Sequence, residues 1–327
     1  MEEVAARAGV SKALVSIVFR SVPGASPESR ERVMRAAAEL DYRPDHRARL
    51  LGRGRSRTIG VMFGLHREFH GSLVESLYGA AEGCGWDLAL GACAPPSRHE
   101  RTAVRALLEQ RCEAVILLGP MMRAIDIADL AARVPVVVVA RPLRSNRVDV
   151  VRTDDLAGGR LGVEHLAGLG HRSLIHVDGG RAPGAAERRR GFRDAVADLA
   201  LGGQVLGGGP GDADGPRSAD DVVASNRAAG GASGVTAFND NCAAGLLAAL
   251  RARGVSVPGD LSLVGYDNTR VAALTGVALT TVAQDPSALA RGALELAVDR
   301  VADQGRPRTE VLVEPSLMVR ETTGPPG

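Results

Sequence analysis

Six arginines crowd residues 43–57 (RPDHRARLLGRGRSR) against one carboxylate, Asp45. Guanidinium groups at that density suit the pairing of phosphate oxygens. The whole chain carries a net charge of only +2, so this block is a local feature. Other chemistries are excluded by residue type. Lys12 is the only lysine, which rules out a Walker A phosphate loop and a Schiff-base lysine in the body of the chain. No GxSxG nucleophile elbow or HExxH zinc motif occurs. His165 and His171 stand six apart in EHLAGLGH, the wrong spacing for two ligands on one helical face. Cys84, Cys93, Cys112 and Cys242 form no CxxC pair and read as reduced core thiols. No catalytic group, metal or cofactor is therefore expected. Aromatic residues make up 3% of the chain, too few for the stacking platforms of single-strand nucleic-acid binders.

Residues 2–40, beside the arginine block, predict three short helices. Val4, Ala5 and Ala8 line one face of the first, and Gly9 suits the left-handed residue that ends it. Ser11 is an N-cap for the second, which runs to about Arg20. Its apolar residues Leu14, Val15, Val18 and Phe19 recur at helical spacing and should face a core. Lys12, Ala13, Ser16, Ile17 and Arg20 then fall on the opposite face. Ser26-Pro27-Glu28 opens the third helix, whose buried stripe is Val33, Ala36, Ala37 and Leu40. His171 follows the helix-ending Gly170, where a positive charge would suit a helix dipole. Two helices joined by Gly9-Val10-Ser11, with a third packed across them, form a helix-turn-helix, which sets its second helix in the major groove. A plain three-helix bundle with no DNA partner is the alternative.

Between Pro44 and Gly52 there is room for about six helical residues, below the ~12–15 at which an isolated helix becomes marginal. This segment should order only when phosphates hold it. Leu50 and Leu51 either pack on the neighbouring domain or supply a wedge between base steps of a kinked duplex.

The stretch EEVAARAGVSKALVSIVFRSVPGASPESRERVMRAAAELDYRPDHRARLLGRGRSRTIGVM resembles the head-piece and hinge of lactose-repressor (LacI-type) family transcription regulators. The likeness continues through TDDLAGGRLGVEHLAGLGHRSLIHVDGG, RRRGF, FNDNCAAGLLAAL, VPGDLSLVGYD and LTTVAQD, in the family's order. The resemblance implies that Lys12, Ala13 and Ile17 read bases and that Ser11 and Ser16 touch phosphates. Tyr42 matches the tyrosine before the hinge proline, and Leu51 the hinge leucine inserted into the central base step. Arg20, Arg47 and Arg49 complete the expected DNA-binding set. Three departures stand out. Ile17 replaces a frequent arginine, exchanging a bidentate guanine contact for an apolar one, such as with a thymine methyl. Arg20 replaces an asparagine. The residues usual ahead of Glu2, including a helix-capping threonine, are missing; the first helix is then uncapped, at a cost of ~1 kcal/mol, and a start codon upstream of Met1 would account for it.

From Arg57 onward, short apolar runs alternate with amphipathic stretches. Strands are expected at Thr58–Phe63, Trp86–Cys93, Ala114–Leu118, Val134–Ala140, Val148–Arg152, Ser173–Val177, Gly234–Phe238 and Leu261–Val264. Helices are expected at Leu73–Glu82, Arg101–Glu109, Leu156–Leu169, Arg188–Leu199, Cys242–Arg253 and Pro286–Val301. Such alternation implies parallel sheets covered by helices on both faces, and there is too much of it for one sheet. The expected fold class is α/β: a three-helix helix-turn-helix head with a hinge helix, then two doubly wound parallel lobes. The resemblance implies the periplasmic-binding-protein-like type I architecture, with the chain crossing between lobes near residues 153, 284 and 312. The expected domains are a DNA-binding head (1–43), a hinge (44–56) and an effector-binding and dimerisation domain (57–327), whose lobes comprise 57–153 with 284–311 and 154–283 with 312–327. The glycine-rich stretch 201–216 lacks GxGxxG spacing and reads as a surface loop around a short strand.

In open α/β sheets, ligands settle at the carboxyl ends of strands. Asp240 follows a strand and opens a helix, and Arg188 lies three residues before Gly191 in RRRGF. An Arg/Asp pair binds hydroxyls or ring nitrogens by charge-assisted hydrogen bonds. The resemblance implies that Arg188 and Asp240 serve a small-molecule pocket, that Phe69 and His70 line it, and that Gln284 joins them at a lobe crossing. His66-Arg67-Glu68 departs from the family's usual Asn-Pro. The expected protein is a cytoplasmic, homodimeric regulator, a repressor on a palindromic double-stranded operator, controlled by a sugar-like or nucleobase-like effector. No membrane contact is expected: apolar runs such as Pro135–Ala140 fall far short of the ~18 residues a span needs, and the N-terminus lacks a secretory pattern. One rival is a two-lobed solute-binding protein, which has no use for residues 1–55. The other is an α/β enzyme with a fused DNA-binding head, which needs a nucleophile–base or metal cluster. Only ETTGPPG follows Arg320, so no leucine-heptad tetramer tail is expected.

Overall fold

Three helices, α1 (Glu2–Ala8), α2 (Lys12–Phe19) and α3 (Pro27–Glu39), close around Val4, Ala5, Ala8, Val15, Val18, Val33, Ala36 and Ala37. Gly9 ends α1 in the left-handed region at φ 64°, a conformation free of strain only for glycine. The start of α1 has no side-chain cap. Ser26 caps α3 by accepting the Ser29 amide at 3.2 Å, and Arg7 ties α1 to Glu39 of α3 at 2.7 Å. Leu40, expected in the buried stripe, instead sits at the C-cap of α3 and is 41% exposed. The computed structural model describes residues 1–19, 23–42, 56–94, 98–228 and 230–327; Arg20, Arg47, Arg49 and Leu51 lie outside them. The chain divides into two compact units, Met1–Ser56 and Arg57–Gly327.

The second unit contains two six-stranded sheets. The first runs β2 (Asp87–Cys93), β1 (Thr58–Gly64), β3 (Ala114–Leu118), β4 (Val136–Val139), β5 (Asp149–Thr153) and β11 (Glu310–Val313), all parallel. The second runs β7 (Gly202–Leu206), β6 (Ser173–Val177), β8 (Gly234–Ala237), β9 (Ser262–Asp267), β10 (Thr280–Ala283) and β12 (Ser316–Met318). Here β12 is antiparallel to β10, an exception to the parallel expectation. Each sheet is sandwiched by helices, and the residues of β3 show why. Ala114, Ile116 and Leu118 join the cluster under α4 (Glu68–Ala81) and α11 (Pro286–Ala302), while Val115 and Leu117 join the cluster under α5 (Arg98–Glu109) and α6 (Ala124–Ala131). A strand with period-two side chains needs apolar residues throughout when both faces are covered. In the second sheet, α7 (Asp155–Gly168) and α8 (Ala185–Asp198) cover one face, and α9 (Ala219–Arg227) and α10 (Asp240–Ala252) the other.

Leu312 and Val313 remain in the first sheet, paired with Arg152 and Thr153, so the last crossing falls between Val313 and Ser316 rather than at 312. The glycine-rich stretch is not wholly a surface loop. Gly215 packs onto the backbone of α10, where a Cβ would run into the Cys242 carbonyl, and Pro210 lines the cleft between the lobes. In both sheets the order of the strands reverses beside the first strand, between β1 and β3 and between β6 and β8, the points at which open sheets leave a crevice.

Candidate functional site

On the head, α2 presents its polar side outward. Ser11 accepts the Leu14 amide at 3.2 Å, as an N-cap does, and Ser11, Lys12 and Ala13 are exposed. Ser16 and Ile17 are half-buried, with Ile17 directed toward the Gly24 turn. Lys12 donates to Glu2 at 2.6 Å, which raises its pKa and lowers that of Glu2. Tyr42 lies tilted against Phe19, with ring centroids 5.8 Å apart, and both rings pack, partly buried, against the core of the head.

In the second unit, the strands of both sheets point their carboxyl ends at one cleft with an empty volume of about 540 Å³. Phe69, His70, Arg188 and Gln284 line it, together with Arg67, Asn239, Asp267 and Thr269, which were not expected there. Arg188 is its electrostatic centre. The guanidinium donates to Asp155 at 2.8 Å, to the Phe238 carbonyl at 2.8 Å and to Asp267 at 3.4 Å, and lies 3.5 Å from the centroid of the Tyr266 ring. Burial alone pulls its pKa down, but Asp155 and Asp267 overcome this and hold it above the ordinary value. Burial pushes Asp267 up to about 6, against the pull of Arg188 and of the Gln284 hydrogen bond. Gln284 joins the two lobes: it donates to Asp267 at 2.7 Å and accepts from Thr153, at the end of β5, at 2.6 Å. Asp267 and Asn268 adopt φ 108° and 53°, unusual for residues other than glycine. Such strain persists where neighbours over-determine it, here through Gln284, Arg188 and Arg320 on Asn268 at 2.6 Å.

His70 is buried against the end of β1, where its Nδ1 accepts the Gly64 amide at 3.0 Å. Burial, with Arg67 nearby, pulls its pKa down to about 3, so the ring is neutral. Asp240 does not line the cleft. Asn239, not Asp240, is the N-cap of α10, accepting the Cys242 amide at 2.9 Å. Asp240 consequently points into the second lobe and accepts from the Thr269 amide at 2.7 Å, the Thr269 hydroxyl at 3.1 Å and the Thr281 hydroxyl at 2.6 Å. It positions the loop that carries Asp267. His171 is also a positioning residue, not a charge at a helix end. It contacts Ser233 at 2.8 Å, Ser262 at 3.0 Å and the Gly324 carbonyl at 2.9 Å, and burial lowers its pKa. Among the described residues no group of three or more His, Cys, Asp or Glu is placed to hold a metal, and no helix is long and apolar enough to cross a membrane.

A helix-turn-helix head and a two-sheet cleft occur together in known proteins. Residues 1–45 match the family model of bacterial regulatory proteins of the lacI family, and residues 163–323 match that of the periplasmic binding protein-like domain. The chain is 30% identical to the HTH-type transcriptional regulator GalR of Escherichia coli (strain K12) over 332 residues, 100% of this chain and 96% of that protein. The chain belongs to the LacI family. It is accordingly a helix-turn-helix transcriptional regulator with a periplasmic-binding-protein-like domain, not an enzyme. A LacI transcriptional regulator from a Rhodococcus species is 41% identical, with a TM-score of 0.78 over 82% of this chain and 98% of that one. The lac repressor dimer bound to operator and the anti-inducer ONPF is 26% identical, with a TM-score of 0.82 over 98% of each chain.

Proposed function

We propose that this LacI-family chain is a cytoplasmic repressor that binds an inverted-repeat operator as a homodimer and is controlled by a small polar effector held between its two lobes. The observation that carries this is the hydrogen-bonded path Thr153–Gln284–Asp267–Arg188, which runs from the first lobe into the second across the cleft. A ligand that inserts its own hydroxyls or ring nitrogens into that path changes how the lobes sit, and ligands shift equilibria only through such differential contacts. Ser11, Lys12, Ala13, Ser16 and Ile17 present the operator-reading face. Arg20, Arg47 and Arg49 add phosphate contacts, and Leu51 acts as the wedge that kinks the duplex. Residues 44–56 form the hinge that passes the lobe change to the DNA.

Replacing Arg188 with Met removes the second-lobe end of the path and keeps an apolar stem beside Tyr266. The variant is expected to bind operator DNA as the wild type does while losing its response to effector, read as DNA affinity with and without a metabolite extract. An unaltered response in Arg188→Met contradicts the placement of the effector.

A further inference from the structure

We propose that the ligand of the cleft is a polyhydroxylated acid, carrying a carboxylate or phosphate that Arg67 receives. This rests on the placement of the effector between the lobes. Arg67 is the N-cap of α4 and lines the cleft from the first lobe. Among the described residues its guanidinium makes no hydrogen bond and no ion pair, whereas Arg188, in the same cleft, makes three. Burial weighs against the charge of Arg67 more than Glu100 and Asp267 support it. Those two carboxylates are already engaged. Glu100 accepts the Met121 amide at 2.8 and 3.0 Å and the Met122 amide at 2.7 Å, and Asp267 accepts from Gln284 and Arg188. Glu68 also lines the cleft but forms no ion pair with Arg67.

A guanidinium offers five donors in a planar fork that fits a carboxylate or phosphate in two parallel hydrogen bonds. Left unpaired in a partly dry site, it is costly, and an oxyanion removes that cost. The start of α4 adds to the attraction, since no side chain caps it and its positive end lies beside Arg67. The opposite wall is different in kind. Arg188, Asn239, Asp267 and Gln284 present donors and acceptors together, a mixture suited to hydroxyl groups rather than to a second anion.

The test uses the full chain with matched probes: glucose, gluconate and glucose 6-phosphate, and ribose, ribonate and ribose 5-phosphate, titrated by calorimetry and thermal shift. At least one acid or phosphate is expected to bind about tenfold or more tightly than its neutral parent, from the usual worth of a hydrogen-bonded charge. The carboxylate and phosphate arms identify which anion is taken. Arg67→Met should erase that preference without lowering the melting temperature of the unliganded protein, and Arg67→Gln, which keeps two donors without the charge, should do the same. Neutral parents binding as tightly as the acids, no acid binding at all, or variants that keep the preference would each overturn the proposal. If Arg188→Met still abolishes binding of the neutral parents, the effector cleft survives and only the anion assignment fails; if it leaves all binding intact, both fall.

Discussion

His70 and Asp240 are buried groups whose chemistry is set by what surrounds them, and they respond to pH in opposite senses. His70 has a folded-state pKa of about 3, below the ordinary 6.5. The unfolded chain therefore binds more protons between those values, and stability falls as pH drops from about 6.5 toward 3. Asp240 is raised to about 7 from 3.8, so its contribution is full below 3.8 and is lost as pH rises through 7. Replacing His70 with Asn keeps an acceptor for the Gly64 amide without a group that titrates in this range. The advantage of wild type over His70→Asn in urea unfolding should shrink steadily on acidification from 6.5 to 3; an advantage independent of pH would contradict the neutral, buried imidazole. Sequence misleads most over individual side chains. Asp240 sits directly after an apolar run and looks like the cleft carboxylate, yet Asp267 fills that place. The run before Asp267 is broken by Gly265, so its strand seems to stop at Val264. The glycine is there because a Cβ at 265 would collide with the carboxylate of Asp240. One residue thus hides the role of the other.

At the level of elements, α7 and α8 lie close enough for backbones to touch. A Cβ on Gly191 would meet the Leu156 carbonyl, and one on Gly159 would meet the carbonyl of Arg188 itself. Helix separation in this pair therefore sets where the Arg188 guanidinium lies. Gly191→Ala should cost about 1–3 kcal/mol of stability through overpacking and weaken effector binding. Chemical denaturation with ligand titration checks both, and a variant as stable and as responsive as wild type would show that the contact is slack. Helices with caps and strong periodicity were legible from sequence, as were strands buried on both faces such as β3. The missing elements are those with weak local signals. β10 is a four-residue TTVA whose polar half gives no apolar run. β11 and β12 are short and half-exposed, and α6 and α9 span only 8 and 9 residues. The strands among them are fixed by pairing with strands elsewhere in the sequence, such as Glu310 with Val150, which no local pattern encodes.

For the molecule as a whole, the parallel lobes and the order of the family's motifs were legible because most of the motifs span a strand end or a helix start, where sequence and backbone geometry constrain each other. In the sequence Arg67 stands out only as a departure from pattern, since its lack of a partner is a property of the folded cleft. The proposed function requires that the head and its arginine-rich extension recognise duplex DNA in pairs. Its most direct measurement is fluorescence anisotropy of the full chain on an inverted repeat selected from random duplexes, against a scrambled competitor, across a salt series. The expected result is preferential binding to the inverted repeat, with log affinity falling against log salt at a slope of about −0.9 per phosphate contacted. Equal affinity for the scrambled duplex, or affinity indifferent to salt, would contradict it.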